Sequence, residues 1–177
     1  MPPSAPALTL TVASLNHMDR DAFVTHLAGV FEHSPWVAER SVNARPFGSI
    51  AMLHARMVLA VKNASRDQQL RLLRAHPELA GKEAQAGTLT DDSTREQRGA
   101  GLIDLDAAEK ATIARLNAGY RTKHGFPFII AVRNYTRAQI FSEFARRLDN
   151  DPEAEIAACL EQVFNITRLR LDAMIAD

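Results

Sequence analysis

The chain has 177 residues, 46% of them hydrophobic, which suits one well-packed domain and is too short for two comfortable ones. Lys plus Arg and Asp plus Glu both total 21, so the formal net charge is zero. This balance does not favour nucleic acid or an anionic membrane surface as a partner. No apolar run approaches the roughly 20 residues that a membrane span needs. We therefore expect a soluble protein that binds neither nucleic acid nor membrane.

The N-terminal sequence and the cysteine content bear on cellular location. The run MPPSAPALTLTVASLN lacks the basic start and sustained apolar core of an export signal, and we expect a flexible tail over 1–15 ahead of a folded domain over 16–177. Cys159 is the only cysteine, so it cannot form an internal disulfide, and its helical context predicts a small buried apolar residue. A reducing compartment fits, and we predict a cytoplasmic location.

Apolar residues recur mostly at three- and four-residue spacing, which predicts a nearly all-α fold. The first helix should carry Phe23, Leu27 and Phe31 on one face, and a second should begin near Ser34. A third helix should start at about Ser49. The capping-box pattern from Ser65 to Gln68 predicts a fourth, which should end before Pro77 because proline disfavours helical geometry at the residue before it.

The second half alternates helices with two irregular segments. The glycine-interrupted stretch ELAGKEAQAGTLTDDSTREQRGAGL predicts irregular surface with a short helix around DDSTREQR. A long helix should run from about Asp106 to Gly125, and further helices should open at the capping box Thr136–Gln139 and at Asp151–Pro152. Between them, FPFIIAVRNY is rich in β-branched and aromatic residues and predicts a buried extended segment. The predicted fold is a compact, single-domain helical bundle with a short extended segment near the active site.

His76 precedes Pro77 in the stretch RAHPELAGK, so it should sit at a helix end with its imidazole outside the regular helix. Imidazole has an unperturbed pKa near 6.5, which suits proton transfer at neutral pH. A helix-terminal histidine that only satisfies a final carbonyl would show the same local sequence. Taken alone, the His-Pro pair leaves both interpretations open.

Polar candidates occupy both irregular segments. On a helix, Ser93 shares a face with Glu96 and Gln97, and this triplet suits a small polar ligand, although a solvated surface helix would look alike. Arg133 ends the apolar run GFPFIIAV, where its guanidinium needs either an internal carboxylate or an anionic ligand group. Backbone amides of the extended run are further donors for a ligand.

Metal-dependent and covalent mechanisms find little support. The histidines show no HExxH spacing and the cysteine has no companion, so no metal site is predicted. The run AGKEAQAG does not match a phosphate-binding P-loop, and no GxSxG nucleophile elbow occurs. Acid–base work by His76 with Glu96 is the chemistry that these residues favour.

Four motifs occur in order along the chain: FEHSPWVAERS at 31–41, HPELAGK at 76–82, STREQRGAGL at 93–102 and LNAGYRTKHGFPFIIAVR at 116–133. Together they resemble the 2-oxo-4-hydroxy-4-carboxy-5-ureidoimidazoline (OHCU) decarboxylases of purine and urate degradation, and the resemblance covers the chain from about Phe23 onward. One departure is His124, where phenylalanine is expected in many relatives, and it would place a second imidazole near the site.

The resemblance implies a small all-helical carboxy-lyase, typically a homodimer, that forms (S)-allantoin and carbon dioxide without a cofactor. It places the catalytic histidine at His76 and the catalytic glutamate at Glu96. It implies that Pro77 packs against the substrate ring and that Arg133 contacts the ligand. The other implied substrate-binding positions are Ser93, Gln97, Ile129, Ile130 and Ala131, the last three through their backbone.

Two alternatives stay open at this stage. One is a ureide or imidazole-ring hydrolase of the same pathway, in which His76 activates water and no carbon dioxide is released. The other is a non-catalytic helical module whose GFPFIIAV stretch binds a partner protein through apolar contacts.

Overall fold

The computed structural model describes residues 9–176, and the predicted all-α class is confirmed. Within these residues there is no β-strand, only an isolated bridge between Thr11 and Ala176. Two 3₁₀ turns, Val42–Ala44 and Val132–Asn134, join helices. The ten α-helices of the described chain are α1 (Val12–His17), α2 (Arg20–Leu27), α3 (Trp36–Ser41), α4 (Ile50–Lys62), α5 (Arg66–Arg74), α6 (Lys82–Ala86), α7 (Asp91–Gly99), α8 (Ala107–His124), α9 (Arg137–Leu148) and α10 (Pro152–Met174).

The described residues group into two compact units. One contains the chain up to Asn63 and again from Thr167 onward, and the other is Ala64–Ile166. The single domain over 16–177 stays a prediction. Of the predicted tail, residues 1–8 lie outside the described residues, and the remainder differs from a tail because Leu15 lies in α1 with no exposed area.

Helix starts follow the predicted caps. The Ser65 and Thr136 side chains each accept from the backbone N–H three residues on, and the glutamine there reaches back to the cap N–H. Asp106 caps α8 in the same way with Glu109. At the other end of α8, Gly125 takes the left-handed conformation at φ 75°, which glycine adopts without a steric cost. Two short helices, α1 and α6, were not predicted, and α2 ends before Phe31.

The run from Phe126 to Ala131 is non-helical and buried, as predicted. Its aromatic side chains pack on the helices of the second unit. Phe128 stacks on Phe144 of α9 with ring centroids 4.0 Å apart, and Tyr120 of α8 meets the edges of both rings. The extended segment is therefore a core element rather than a surface loop.

A buried polar cluster lies beneath this segment. Arg147 of α9 forms an ion pair with Glu155 of α10 at 2.6 Å, with side chains 3% and 0% exposed. Arg147 Nη1 also donates to the carbonyl of Ile129 at 2.8 Å, and Nη2 lies 3.1 Å from Cys159 Sγ. The Tyr120 hydroxyl donates to Glu155, and burial raises its pKa so that it stays a neutral donor. The cluster ties the extended chain to two helices.

The first unit contains a second buried ion pair. Arg170 Nη1 lies 2.8 Å from Glu32 Oε2, and the two side chains are 5% and 1% exposed. The same guanidinium donates to the Gly29 and Val30 carbonyls, which lie just after α2. This pair fixes the FEHSPWVAERS region within its own unit. None of the helices in 9–176 is long and apolar enough to cross a membrane.

Breaking the Arg147–Glu155 pair should destabilise the protein strongly. We expect Arg147→Met to lower the free energy of unfolding by about 3–5 kcal/mol, because it leaves Glu155 as an uncompensated buried charge. Arg146→Met is the matched control, since Arg146 pairs with Glu143 at the surface, where solvent screens the pair. Denaturant unfolding of both variants tests this, and equal losses would contradict it.

Cys159 should be inert in the folded protein. Its side chain is fully buried, and burial raises the pKa of the thiol to about 11, so little reactive thiolate exists at pH 8. We expect a disulfide reagent to label the native protein very slowly and the guanidinium-unfolded protein at once. Rapid stoichiometric labelling of the native chain would show that the cluster opens readily.

Candidate active site

His76 lies just beyond the end of α5, buried and only 8% exposed. The helix stops at Arg74, as the following proline requires, and the His76 N–H still reaches the Leu73 carbonyl at 3.2 Å. Its Nδ1 lies 3.2 Å from the Leu72 carbonyl oxygen, which can only accept a hydrogen bond. Nδ1 therefore carries the proton of the neutral ring, and the basic lone pair belongs to Nε2.

The chain after His76 turns sharply. Ala80 has a positive φ of 48°, a conformation that costs a residue with a Cβ on the order of 1–2 kcal/mol. The next residue must be glycine, because a Cβ on Gly81 would lie 2.6 Å from the Cβ of Glu78. The HPELAGK stretch is thus a strained turn that other groups must hold in place.

Three side chains from other helices hold it. Gln97 of α7 accepts from the Ala80 N–H at 2.9 Å and donates to the Glu78 carbonyl at 3.3 Å. Asn117 of α8 donates to the Leu79 carbonyl at 2.9 Å, and Arg121 forms an ion pair with the Glu78 carboxylate at 2.9 Å. The strained turn is therefore fixed to both α7 and α8.

The predicted triplet on α7 does not share one environment. Ser93 and Gln97 are buried, whereas Glu96 is half-buried. Both ends of the Gln97 amide are bonded to backbone, so the structure gives this residue a supporting role that the sequence analysis did not foresee. Direct contact of Gln97 with a ligand stays a prediction.

Arg133 lies in the 3₁₀ turn Val132–Asn134, which we call the arginine turn. This turn contacts α7. It is exposed, although it directly follows a buried run. Within the part of the chain that the structure describes, no carboxylate forms an ion pair with its guanidinium, so the internal salt bridge considered for it is not formed there. The arginine turn brings a positive charge beside the helix that carries Ser93 and Glu96.

The backbone of the extended segment is partly committed to protein groups. The Ala131 N–H donates to Gln162 Oε1 at 2.9 Å, the Ile129 carbonyl accepts from Arg147, and a backbone hydrogen bond joins Ile129 to Cys159. Ile130 is 3% exposed, and its N–H and C=O bond to no other group within 9–176. Buried backbone groups are nearly always paired, so Ile130 is the position of this segment best suited to a ligand.

His124 has its own partners. Its Nε2 lies 3.3 Å from the Leu148 carbonyl, and its ring packs on Tyr120 with centroids 4.5 Å apart. These contacts place it against the end of α9, and no contact joins it to His76 among the described residues. The role of His76 as the base stays a prediction.

No group of three or more His, Cys, Asp or Glu residues within 9–176 is placed to hold a metal ion. The supporting residues Asn117, Arg147 and Gln162 were missed by the sequence analysis. The burial of Asn117 could have been predicted from its spacing, because it lies four residues after Ile113 and three before Tyr120, on the helix face predicted to be buried. A polar residue on such a face needs a partner.

Known proteins resemble this chain over nearly its whole length. Residues 16–172 match the sequence model of the family described as OHCU decarboxylase. The chain is 42% identical over 162 residues to the 2-oxo-4-hydroxy-4-carboxy-5-ureidoimidazoline decarboxylase of Haloferax volcanii, covering 92% of this chain and 94% of that protein. It is 40% identical to the uric acid degradation bifunctional protein PucL of Bacillus subtilis, covering 94% of this chain but 33% of that longer protein.

A solved structure shows the same likeness. The crystal structure of an (S)-allantoin synthase superposes with a TM-score of 0.75 at 35% sequence identity. The match covers 94% of this chain and 54% of that one. The fold, as well as the sequence, is therefore similar to that protein.

Removing the Gln97 amide should loosen the His76 turn. We expect Gln97→Leu to lower the free energy of unfolding by about 1–3 kcal/mol, since it leaves the Ala80 N–H and the Glu78 carbonyl without their partner. Hydrogen exchange of the 76–82 peptide should accelerate at the same time. Arg98→Leu, an exposed neighbour on α7, is the control, and unchanged exchange in the Gln97 variant would contradict this assignment.

Proposed function

The chain belongs to the OHCU decarboxylase family, and we propose that it converts 2-oxo-4-hydroxy-4-carboxy-5-ureidoimidazoline to (S)-allantoin and carbon dioxide in urate degradation. It is a carboxy-lyase by family. The observation that supports the proposal is His76 in the HPELAGK motif, with Nδ1 on the Leu72 carbonyl, an arrangement that leaves the lone pair of the neutral ring on Nε2. The small ureidoimidazoline is its proposed partner.

The proposed substrate supplies its own electron sink. When the bond to the carboxylate breaks, its electron pair forms a double bond to the adjacent ring carbon, and the displaced C=N pair moves to the ring nitrogen, which takes up a proton from solvent. Loss of the hydroxyl proton and addition of a proton to the neighbouring carbon then complete the conversion to the keto product. Many decarboxylations borrow such a sink from a cofactor. Here the protein has only to align the breaking bond with the ring C=N, exclude water and deliver a proton. We therefore propose that it uses no cofactor.

We propose that His76 is the acid–base residue. With Nδ1 held on the Leu72 carbonyl, the ring can accept the substrate hydroxyl proton at Nε2 and return a proton to the new C–H centre. Pro77 would pack against the substrate ring beside it. The strained turn after Pro77 supports this role, because such conformations persist only where the surroundings hold them.

Glu96 and Ser93 would act from α7. Glu96 would orient the imidazole or the ureido group, and the Ser93 side chain would bind the polar substrate. The contact between α7 and the arginine turn supports placing these residues around one ligand.

Arg133 and the extended segment would bind the substrate hydroxyl oxygen, which gains negative charge as its proton is removed. A guanidinium forms strong charge-assisted hydrogen bonds with oxyanions, and Arg133 has no described internal carboxylate to compete. The backbone of Ile129, Ile130 and Ala131 would hold the ureido or ring carbonyl groups. Of these, Ile130 has the uncommitted N–H.

We further propose a homodimer and a cytoplasmic location. The dimer follows from the family resemblance, and light scattering after size exclusion would test it. The location is supported by the free, buried thiol of Cys159, which fits a reducing compartment.

His76→Asn should abolish most turnover without unfolding the protein. Asparagine can keep a hydrogen bond near the Leu72 carbonyl but cannot exchange a proton, so we expect turnover to fall by about 10²- to 10⁴-fold. Freshly generated substrate would be followed by carbon dioxide release and by circular dichroism of the allantoin formed. His17→Asn, at an exposed histidine of α1, is the control.

Three outcomes would count against the proposal or part of it. A wild-type protein that does not accelerate the spontaneous reaction would remove the assigned activity. Turnover without carbon dioxide would favour the ring hydrolase instead. Full activity of a folded His76→Asn protein would retain the reaction but remove His76 as its base.

A further inference from the structure

Gln162 of α10 bonds both flanks of the arginine turn. Its Oε1 accepts from the Ala131 N–H at 2.9 Å, directly before the turn. Its Nε2 donates to the Tyr135 hydroxyl at 3.3 Å, directly after the turn. A single amide on a long helix therefore reaches both ends of the short segment that carries Arg133.

Within residues 9–176, the other hydrogen bonds of the turn are local. The Asn134 N–H donates to the Ala131 carbonyl at 2.8 Å, and the Tyr135 N–H donates to the Val132 carbonyl at 3.2 Å. These bonds fix the shape of the turn but not its position against the rest of the unit. Val132 is buried and holds one side, whereas Arg133 and Asn134 are exposed.

We propose that Gln162 is a positioning residue for Arg133. By holding Ala131 and Tyr135 on α10, it sets where the turn lies and hence where the guanidinium meets the substrate oxygen that gains charge. The proposal rests on the proposed function, because it assumes that Arg133 binds that substrate. Gln162 itself need not touch the ligand.

The physical reason is the flexibility of arginine. An exposed arginine side chain samples many rotamers. The position of its Cα therefore decides what fraction of those rotamers places the guanidinium on the substrate. A misplacement of about 1 Å at a binding group is able to cost on the order of 10²-fold in rate. Two directional hydrogen bonds from a rigid helix suppress such a displacement.

The first test compares graded losses of the amide contacts. Gln162→Met keeps the length of the side chain but removes both bonds, and Tyr135→Phe removes one. We expect kcat/KM to fall roughly 10- to 100-fold in Gln162→Met, mainly through a lower kcat, and less in Tyr135→Phe. Asn165→Met, at an exposed amide one turn along α10, should match wild type. Melting temperatures would establish that all variants are folded.

The second test measures whether the effect of Gln162→Met depends on the presence of Arg133. If Gln162 acts through Arg133, the double variant Gln162→Met with Arg133→Ala should be no slower than Arg133→Ala alone. A residue that merely stabilises the fold would instead lower the melting temperature and add its loss to that of Arg133→Ala.

The outcomes separate this proposal from the proposed function. Wild type must first accelerate carbon dioxide release, and its failure to do so would remove the function on which the proposal rests. With wild type active, unchanged kinetics in a folded Gln162→Met protein would overturn the positioning role. Additive losses with Arg133→Ala would overturn it as well.

Discussion

The second unit depends on one buried ion pair, Arg147 with Glu155. Taking two charges out of water is costly, and the cost is met only when the remaining donors and acceptors are also paired. Here the guanidinium bonds the Ile129 carbonyl, packs over the Phe128 ring at 4.5 Å and contacts Cys159, while Tyr120 donates to the carboxylate. An extended chain without strand neighbours leaves backbone groups unsatisfied, and this cluster supplies what a sheet would otherwise provide.

The hydrogen bonds from Arg147 and Gln162 also explain how the extended segment could hold ligand-binding groups in fixed positions. A segment held only by apolar contacts could shift along its groove with little loss, because such contacts are not directional. Bonds from Arg147 and Gln162 fix individual backbone atoms at Ile129 and Ala131. The residue between them, Ile130, is thereby presented in a defined orientation with its own backbone groups uncommitted.

The sequence predicted what is governed by local chemistry. Capping boxes at Ser65 and Thr136, the proline limit on α5 and the glycine end of α8 depend on neighbouring residues, and the structure confirms them. The position of His76 beyond its helix was predictable for the same reason. The partners of Gln97 and Gln162 were not, because they lie 17 to 31 residues away along the chain and depend on how helices pack. The positive φ of Ala80 left no signal either, since alanine there contradicts the usual preference for glycine.

The two irregular segments are held by the same device. In each, one glutamine on a helix uses its carbonyl to accept a backbone N–H, from Ala80 or Ala131, and its amide nitrogen to bond a second group nearby. A glutamine side chain offers an acceptor and a donor a short distance apart, so it can hold two points of an irregular chain that lacks a regular hydrogen-bond pattern. It does so without the desolvation cost of a buried charge. Helices provide rigid positions for these amides, and the irregular segments provide the geometry that a helix cannot. Of the proposed site residues, His76 and Arg133 thus lie where the regular α-helical pattern is interrupted, and glutamine amides on neighbouring helices stabilise the irregular segments that carry them.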